Sequence, residues 1–472
     1  MGQPVVLATD ACLFALLGVG LVYWLIARRH EHLRAPWREV WARPAAAGAA
    51  LVLGAFVLVA LVDSVHFRAR GEEEGELRSL LDLALGPLGS NTETSYSAPF
   101  ATHGFSRETV RTADGGMRRE FPRLAHGGAH LADPDARAAD IAQRALRGVA
   151  LGAALVLPCA WVAAMLERRR HGSLAAALRA MRRGQARRPW RSVLGVAAAL
   201  ALFIGLGICL APWYHVLGTD KVGTDVLYQA LKSVRTGVLI GSLTTLISLP
   251  FALILGIAAG YFRGPVDDAV QYLYTTLSSI PGVLLIAAAA LMLDVYMSRH
   301  AAAFDSLAAR ADLRLLALCG ILGITSWTSL CRLLRAEALK LREIEFVVAA
   351  QALGVRSPGI LRRHLLPNVM HIVIITIVLD FSSLVLAEAA LTYIDIGVDP
   401  SMESWGNMIN AARLELAREP AVWWSLVAAL GFMFTLVLAA NLFADAVRDA
   451  FDPRLRSTGT LVTEVHPQER SV

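Results

Sequence analysis

The sequence predicts an all-α polytopic membrane protein, and three observations carry that expectation. Of its 472 residues, 56% are hydrophobic and only 18% are charged, below the quarter or so usual for soluble domains. Apolar runs of roughly 18 or more residues recur, the length that crosses a hydrocarbon core, and runs of that length satisfy their backbone in lipid only as helices. The basic residues fall mainly between these runs. The net charge of +6 therefore belongs to membrane-flanking loops and gives no reason to expect nucleic acid.

Nine spans are predicted, near 8–27, 45–63, 148–166, 192–211, 236–260, 269–293, 314–331, 370–391 and 422–445. Residues 1–10 carry no Lys or Arg, and Arg28 and Arg29 follow the first run instead of preceding it. That order reads as a retained anchor and not a secretory signal. Pro250 and Pro281 fall inside spans and predict local kinks. The five cysteines (Cys12, Cys159, Cys209, Cys319 and Cys331) lie in or beside apolar runs, with no CxxC pair. They read as small hydrophobes, with no disulfide framework or metal site expected.

Orientation follows from the loops. Arg28, Arg29, Arg34, Arg38 and Arg43 face only Glu31 and Glu39 in 28–44, and 167–191 holds nine Arg against one Glu. With the net-basic loop 332–368, these belong in the cytoplasm. That puts the N-terminus outside and the C-terminus inside. Trp213, Tyr214, Trp405, Trp423 and Trp424 lie at the opposite ends, as an interfacial aromatic belt would. Asp10 reads as an interfacial residue at the outer end of the first span.

The domain organisation expected is two N-terminal spans with a basic loop (1–63), an extracytoplasmic segment (64–147), a third span with an Arg-rich loop (148–191), a six-span core (192–456) containing loop 332–368, and a cytoplasmic tail (457–472). Segment 64–147 predicts helices near 75–85 and 134–147. Its "HGGAH" puts His126 and His130 at helical spacing, but the intervening glycines argue against a helix and for solvated loop histidines.

Loop 332–368 carries the functional signal. "RLLRAEALKLREIEFVVAAQAL" is rich in helix formers, with an apolar stripe through Leu334, Ala338, Leu341, Ile344, Val348 and Ala352. Gly354 is placed to end that helix in a left-handed cap. Ser357-Pro358 reads as N-cap and N1 of a second short helix through Arg362 and Arg363, stopped by Pro367. The product is a helix-turn-helix knob whose small face, through Val348, Ala349 and Ala352, lets another protein approach the backbone closely. A basic loop lying on anionic lipid is the alternative.

The run Glu345-Phe346-Val347, Ala349-Ala350, Leu353-Gly354 and Arg363-His364 with Leu366-Pro367-Asn368 resembles the cytoplasmic "EAA" loop of ABC importer permeases. It is most similar to the dipeptide/oligopeptide/nickel family and its DppC/OppC-type subunit, with Gln351 in place of the usual basic residue. "GTDKVGTD" (218–225) resembles the box that precedes a span in that subunit, with Thr224 replacing Arg. "AEAALTYIDIGVDPSMESWGNMI" resembles the stretch after the penultimate span, with Asp395 where Gly is usual. "NLFADAVRDAFDPRLR" (441–456) resembles the C-terminal tail, with Ala444 in place of Gly. The match covers roughly 215–456.

The resemblance implies a permease subunit of a bacterial inner-membrane importer for di- or oligopeptides, with nickel chelates or other small solutes as alternatives. It implies partners: two separate ATPase subunits that bind ATP and Mg, a second, DppB-type permease, an extracytoplasmic solute-binding protein, and membrane lipid. It further implies that Glu345, Ala349, Ala350, Leu353, Gly354, Arg363, His364, Pro367 and Asn368 form the ATPase-coupling loop, with Ala349, Ala350 and Gly354 permitting close docking. The chain has no G-x-x-x-x-G-K-[ST] motif, so no nucleotide site, catalytic residue or cofactor of its own is expected. Asp380 and Glu388, eight positions apart on one span, are candidates for the translocation pathway, since intramembrane charges usually face a cavity or partner. An ion-coupled secondary transporter would need paired mid-membrane acids and an inverted repeat, and only Asp380 is a clear mid-span acid. A membrane-anchored sensor would need a cytoplasmic signalling domain that 446–472 is too short to hold. An exporter with the same loop remains a further alternative.

Overall fold

A 37-residue helix, Val226–Phe262, forms the spine around which the other elements gather. The computed structural model describes residues 3–68, 77–111, 117–186, 189–300 and 306–451. In chain order the helices are α1 (Ala8–Arg29), α2 (Glu31–Ala42), α3 (Pro44–Asp63), α4 (Leu80–Ser90), α5 (Arg137–His171), α6 (Leu174–Arg183), α7 (Trp190–Leu210), α8 (the spine), α9 (Gly264–Ser279), α10 (Gly282–Arg299), α11 (Leu307–Ser326), α12 (Thr328–Arg342), α13 (Glu345–Ala352), α14 (Ser357–Ile360), α15 (Leu366–Tyr393), α16 (Trp405–Glu415) and α17 (Trp424–Phe451). Short strands β1 (Gln3–Val5), β2 (His66–Arg68) and β3 (Leu77–Ser79) form an antiparallel sheet, and β4 (Glu108–Arg111) pairs with β5 (Met117–Glu120).

Among the described residues, eight helices are long and apolar enough to cross a membrane: α1, α3, α5, α7, α8, α10, the helical run Ser357–Tyr393, and α17. The predicted span 269–293 is instead two helices, because Ile280 is extended and Pro281 stands as the N-cap of α10. Pro281 lacks the N–H needed to continue α9. The predicted span 314–331 straddles the junction at Trp327. The helix before it, α11, carries Arg310, Asp312 and Arg314 in its first eight residues. By contrast α8 runs unbroken through Pro250.

The packing of α8 on α12 is unusually close. A Cβ on Gly256 would lie 2.7 Å from the Cys331 carbonyl oxygen, and one on Gly260 would lie 2.6 Å from both the Ala338 Cβ and the Arg335 carbonyl oxygen. Only glycine lets the two backbones approach so nearly. Around this seam Tyr261, Leu334, Leu341, Val347, Ile360, Leu365 and Val369 form one buried cluster that joins α8, α12, α13, α14 and α15.

Three basic segments collect at one end of the bundle. Ser192 at the start of α7 donates to the Pro44 carbonyl at 2.6 Å, and Val40 of α2 packs against Val447 and Ala450 at the end of α17. Ile374, early in α15, joins that same cluster.

At the opposite end the N-terminal third is locked to the core by buried charge. Arg235 of α8 pairs with Asp10 of α1 at 2.6 Å, donates to Thr9 at 2.9 Å and to Ser64 at 3.2 Å, and lies 3.7 Å from Asp312 of α11. His66 approaches the other Asp10 oxygen at 2.8 Å. Asp10 is therefore fully buried and paired, not an interfacial residue. One turn away, Lys232 pairs with Asp63 at 2.9 Å and Asp82 at 2.8 Å.

Segment 64–147 lies over this end. Its helices are α4, shifted from the predicted 75–85, and α5, entered through a 3₁₀ turn at Pro134–Ala136. "HGGAH" forms turns: the Ala125, His126 and Gly127 N–H groups donate to the Glu93 carboxylate at 2.8, 2.8 and 3.0 Å, and His130 meets Asp140 at 2.9 Å. His215 bridges Glu93 at 3.3 Å and Asp225 at 2.8 Å. Of the expected aromatic belt, Trp213 and Trp423 are exposed. Tyr214, Trp405 and Trp424 are core residues whose polar atoms bond Asp140, the Ala230 carbonyl and the Thr219 carbonyl at 2.8, 3.1 and 2.8 Å. Their burial follows from having such partners.

Two outcomes are expected. Arg235→Leu strands Asp10 and Asp312 in the interior and costs about 3–5 kcal/mol, read as a lowered thermal midpoint of the purified protein. Burial alone would raise the Glu93 carboxyl, but His215 and the three backbone donors outweigh it and hold its pKa down at about 2 against an ordinary 4.5. Burial alone would lower His215, but Asp225 and Glu93 raise it to about 9 against 6.5. The Glu93 contribution is complete above pH 4.5 and lost as pH falls toward 2, while that of His215 is complete below pH 6.5 and lost as pH rises through 9. Midpoints measured against pH are expected to peak between those limits, and His215→Gln is expected to remove the alkaline decline.

Candidate functional site: a knob at one end of the bundle

The knob is assembled from α12, α13, α14 and the start of α15. The predicted single helix from 332 to 354 divides at Glu343, and Ile344 is extended (φ −74°, ψ 141°). The division rotates the apolar stripe. Leu334, Ala338 and Leu341 are buried on α8, whereas on α13 the buried residues are Val347 and Ala350, and Ile344 and Val348 turn outward.

Gly354 takes the left-handed conformation at φ +77°. Its N–H donates to the Gln351 carbonyl at 3.0 Å, and the Val355 N–H donates to the Ala350 carbonyl at 3.1 Å. These two bonds are the paired closure of a Schellman motif, as the sequence predicts. The next helix begins one residue earlier than predicted, with Arg356 as N-cap and Pro358 in its first turn. Pro367 does not stop it. A π turn over Leu361–Leu365 widens the helix, and α15 continues directly from Leu366. With Pro367 in the first turn of α15, its missing N–H interrupts nothing after the wider turn. Asn368 donates its side-chain amide to the His364 carbonyl at 2.6 Å.

This geometry sorts the predicted residues. Glu345, Ala349, Leu353, Gly354, Arg363, Pro367 and Asn368 are exposed, and Leu353 is 83% exposed at the tip. His364 is half-buried with its ring 5.8 Å from that of Phe346. Ala350 faces inward at 7% exposure, in the cluster with Val347, Ile360 and Leu365. It anchors the knob and is not part of the outward face. Three supports escaped sequence reading because their partners lie about 70–80 positions away: Arg335 donates both Nε and Nη2 to the Asp267 carboxylate of α9, Nη2 at 2.7 Å, Arg342 donates to the Tyr261 carbonyl at 2.7 Å, and Arg263 pairs with Glu343.

Asp380 and Glu388 are not brought together in one lining. Glu388 is buried against the turn entering α16, where Thr392 donates to it at 2.9 Å and a Cβ on Gly406 would lie 2.9 Å from its oxygen. Asp380 is half-buried in α15.

The three other motif stretches also form defined structures. In "GTDKVGTD", Asp225 caps α8 by accepting from Leu227 at 2.8 Å and Tyr228 at 3.2 Å, and Asp220 accepts from Val222 at 3.0 Å and Thr224 at 2.8 Å. Thr224 acts there through its backbone. Asp395, standing where glycine is expected, has φ +61°, a conformation Asp tolerates better than most residues. Its carboxylate accepts from Asn410 at 2.5 Å and lies 3.6 Å from Arg413. Ala444 is fully buried in α17, and the tail beyond 451 lies outside the described residues.

Nothing lies within 4 Å of a Cβ on Gly354, so substitution there meets only backbone strain. Gly354→Ala is expected to cost about 1–2 kcal/mol. Amide exchange in α13 would then quicken about 5- to 30-fold, with Gly354→Asn in between.

Comparison with known proteins fits this arrangement. Residues 252–457 match the family model described as binding-protein-dependent transport system inner membrane component. A Brucella suis protein named as a candidate peptide permease is 32% identical over 243 residues, covering 51% of this chain and 74% of its own length. The glutathione transport system permease protein GsiD of Pectobacterium atrosepticum is 27% identical, covering 61% of this chain and 99% of its own. The oligopeptide transport system permease protein OppC of Bacillus subtilis is 27% identical, covering 51% and 72%. The chain belongs to the binding-protein-dependent transport system inner membrane component family, as a multi-pass inner-membrane permease subunit of an ABC importer.

Proposed function

We propose that the knob is the coupling element through which a separate cytoplasmic ATPase drives this permease, and that the cargo is di- or oligopeptides. The observation that carries the coupling reading is the division of α13 into two faces. Val347 and Ala350 are buried in the permease's own core, while Ala349, Ala352 and the tip residue Leu353 are exposed. An apolar tip held rigidly beyond the ends of the spans is a docking surface awaiting a partner. The close seam between α12 and α8, with the Arg335–Asp267 pair, makes knob and spans one body. A force on the tip would therefore move α8 and α15 together, the rigid-body motion that alternates access in a transporter.

In this reading the knob end is cytoplasmic, so α17 also ends inside and residue 3 lies outside. Two ATPase subunits carry ATP and Mg, and a second permease completes the pore. A solute-binding protein delivers cargo to the end covered by segment 64–147. The core 192–456 forms half of the pathway, and Asp380 lines it. The names of the relatives, which include peptide, oligopeptide and glutathione permeases, favour peptide cargo over a nickel chelate.

The test is ATP-driven uptake by the assembled importer in proteoliposomes. Leu353→Glu is expected to leave the permease folded and to lower uptake by about tenfold or more, equivalent to about 1.4 kcal/mol of docking energy. Ala350→Glu is expected to lower the permease's own melting temperature, since it buries a charge. Undiminished uptake by Leu353→Glu would contradict the coupling reading. Uptake competed by nickel complexes and not by short peptides would contradict the cargo reading alone.

A further inference from the structure

A cleft between α1 and α2 has the chemistry of a lipid-headgroup site. Its volume is about 420 Å³, and it is lined by Arg28, Arg34 and Arg38 together with Tyr23, Trp24, Trp37 and Trp41. Among the described residues, none of those lining it is a carboxylate. The position follows from the chain: α1 ends at Arg29 and α3 begins at Pro44, so the 12-residue helix between them lies at the membrane face where both spans end. A helix so placed, with guanidiniums and indoles together, is suited to the interface between headgroups and acyl chains.

The cleft is fixed, not a loose surface. Trp37 stacks on Phe443 with ring centres 6.4 Å apart, meets Phe451 edge-on at 5.5 Å, and donates its indole N–H to the Tyr23 hydroxyl at 3.2 Å. Val40 is completely buried beneath it, and Arg43 pairs with Asp449 of α17. The Arg28 guanidinium lies 4.1 Å from the centre of the Trp24 ring, which orients it without neutralising it. Arg38 reaches only the exposed Glu31 at 3.4 Å, a pairing worth little in water. The cleft therefore gathers three guanidiniums, and the carboxylates beside Arg34 and Arg38, Glu31 and Glu39, line the neighbouring cavity. Beside it α1 leaves Leu21, Val22, Leu25 and Ile26 uncovered, an apolar flank for acyl chains.

We propose that this cleft binds the phosphate headgroup of an anionic phospholipid, with Arg28, Arg34 and Arg38 on the phosphate, the indoles at the glycerol level, and the chains along α1. Arginine forks match phosphate oxygens two at a time, and a weakly hydrated guanidinium gives up less water to an anion than a strongly hydrated ammonium would. The proposal does not depend on the transport reading.

The test uses the full chain, extracted from nanodiscs containing equal phosphatidylglycerol and phosphatidylethanolamine and examined by native mass spectrometry. Wild-type protein is expected to retain phosphatidylglycerol preferentially. Arg34→Gln with Arg38→Gln is expected to reduce that retention roughly 10- to 30-fold, while substitution of an exposed arginine of α6, Arg182→Gln, leaves it unchanged. An unaltered melting temperature in lipid-free detergent shows that the double variant is folded. Equal retention of phosphatidylethanolamine, unchanged retention in the double variant, or displacement of the lipid by millimolar inorganic phosphate would each overturn the proposal.

Discussion

The close approach of α8 to α12 is the constraint on which the rest of the structure depends. Backbones that meet through Gly256 and Gly260 cannot slide or rotate without collision, and close-packed interfaces switch between discrete states more readily than they deform. The knob is therefore an extension of a 37-residue helix that reaches the other end of the bundle. There the same helix supplies Lys232 and Arg235, which hold α1, α3, α4 and α11 through buried ion pairs. One rigid element thus carries the exposed Leu353 tip at one end and the appended N-terminal third at the other.

That N-terminal third is not a detachable anchor in energetic terms. A buried guanidinium without a carboxylate is far more costly than an exposed one, and Arg235 finds its nearest carboxylate on α1. The strands before α1 and after α3 share one antiparallel sheet, so the ends of those helices are tied to one another as well as to the core. Segment 64–147 is fastened in the same manner, by Glu93 and His215 and by backbone pairing of Thr219 with Ser97 at 3.0 Å. The box at 218–225 is in this chain a foundation for the extra segment. Thr224 serves there through main-chain bonds, which are indifferent to its departure from arginine.

What the sequence revealed and what it hid have physical reasons. Hydropathy located seven of the nine predicted spans within single helices, because burial in lipid acts on every residue of a run, and missed the breaks at Ile280–Pro281 and Trp327. Gly354 was legible because a left-handed cap is a local requirement, and Asp395 at positive φ shows the same rule from the side of an exception. The direction of Ala350 was not legible. Nothing at Glu343 or Ile344 breaks a helix by propensity. The chain turns there because Val347 and Ala350 bury against Ile360 and Leu365, a tertiary demand that overrides local preference. Pro367 misled for a related reason, since a π turn upstream absorbs the missing donor. Asp10 and Arg235 are 225 positions apart, and their pairing leaves no local trace. The same holds for Glu388, whose partner Thr392 was one turn away, while the α16 turn that buries it was not foreseeable.

The central claim is that α13 presents its tip to a second polypeptide while its opposite face belongs to the permease. Replacing Leu353 by the photoreactive residue p-benzoylphenylalanine, in cells that carry the whole importer, tests it most directly. Irradiation is predicted to join position 353 to the ATPase subunit, and the same residue in place of Val369, buried on the inner side, is predicted to yield no such product. Cross-linking of position 353 only to lipid or to the permease itself would contradict the account.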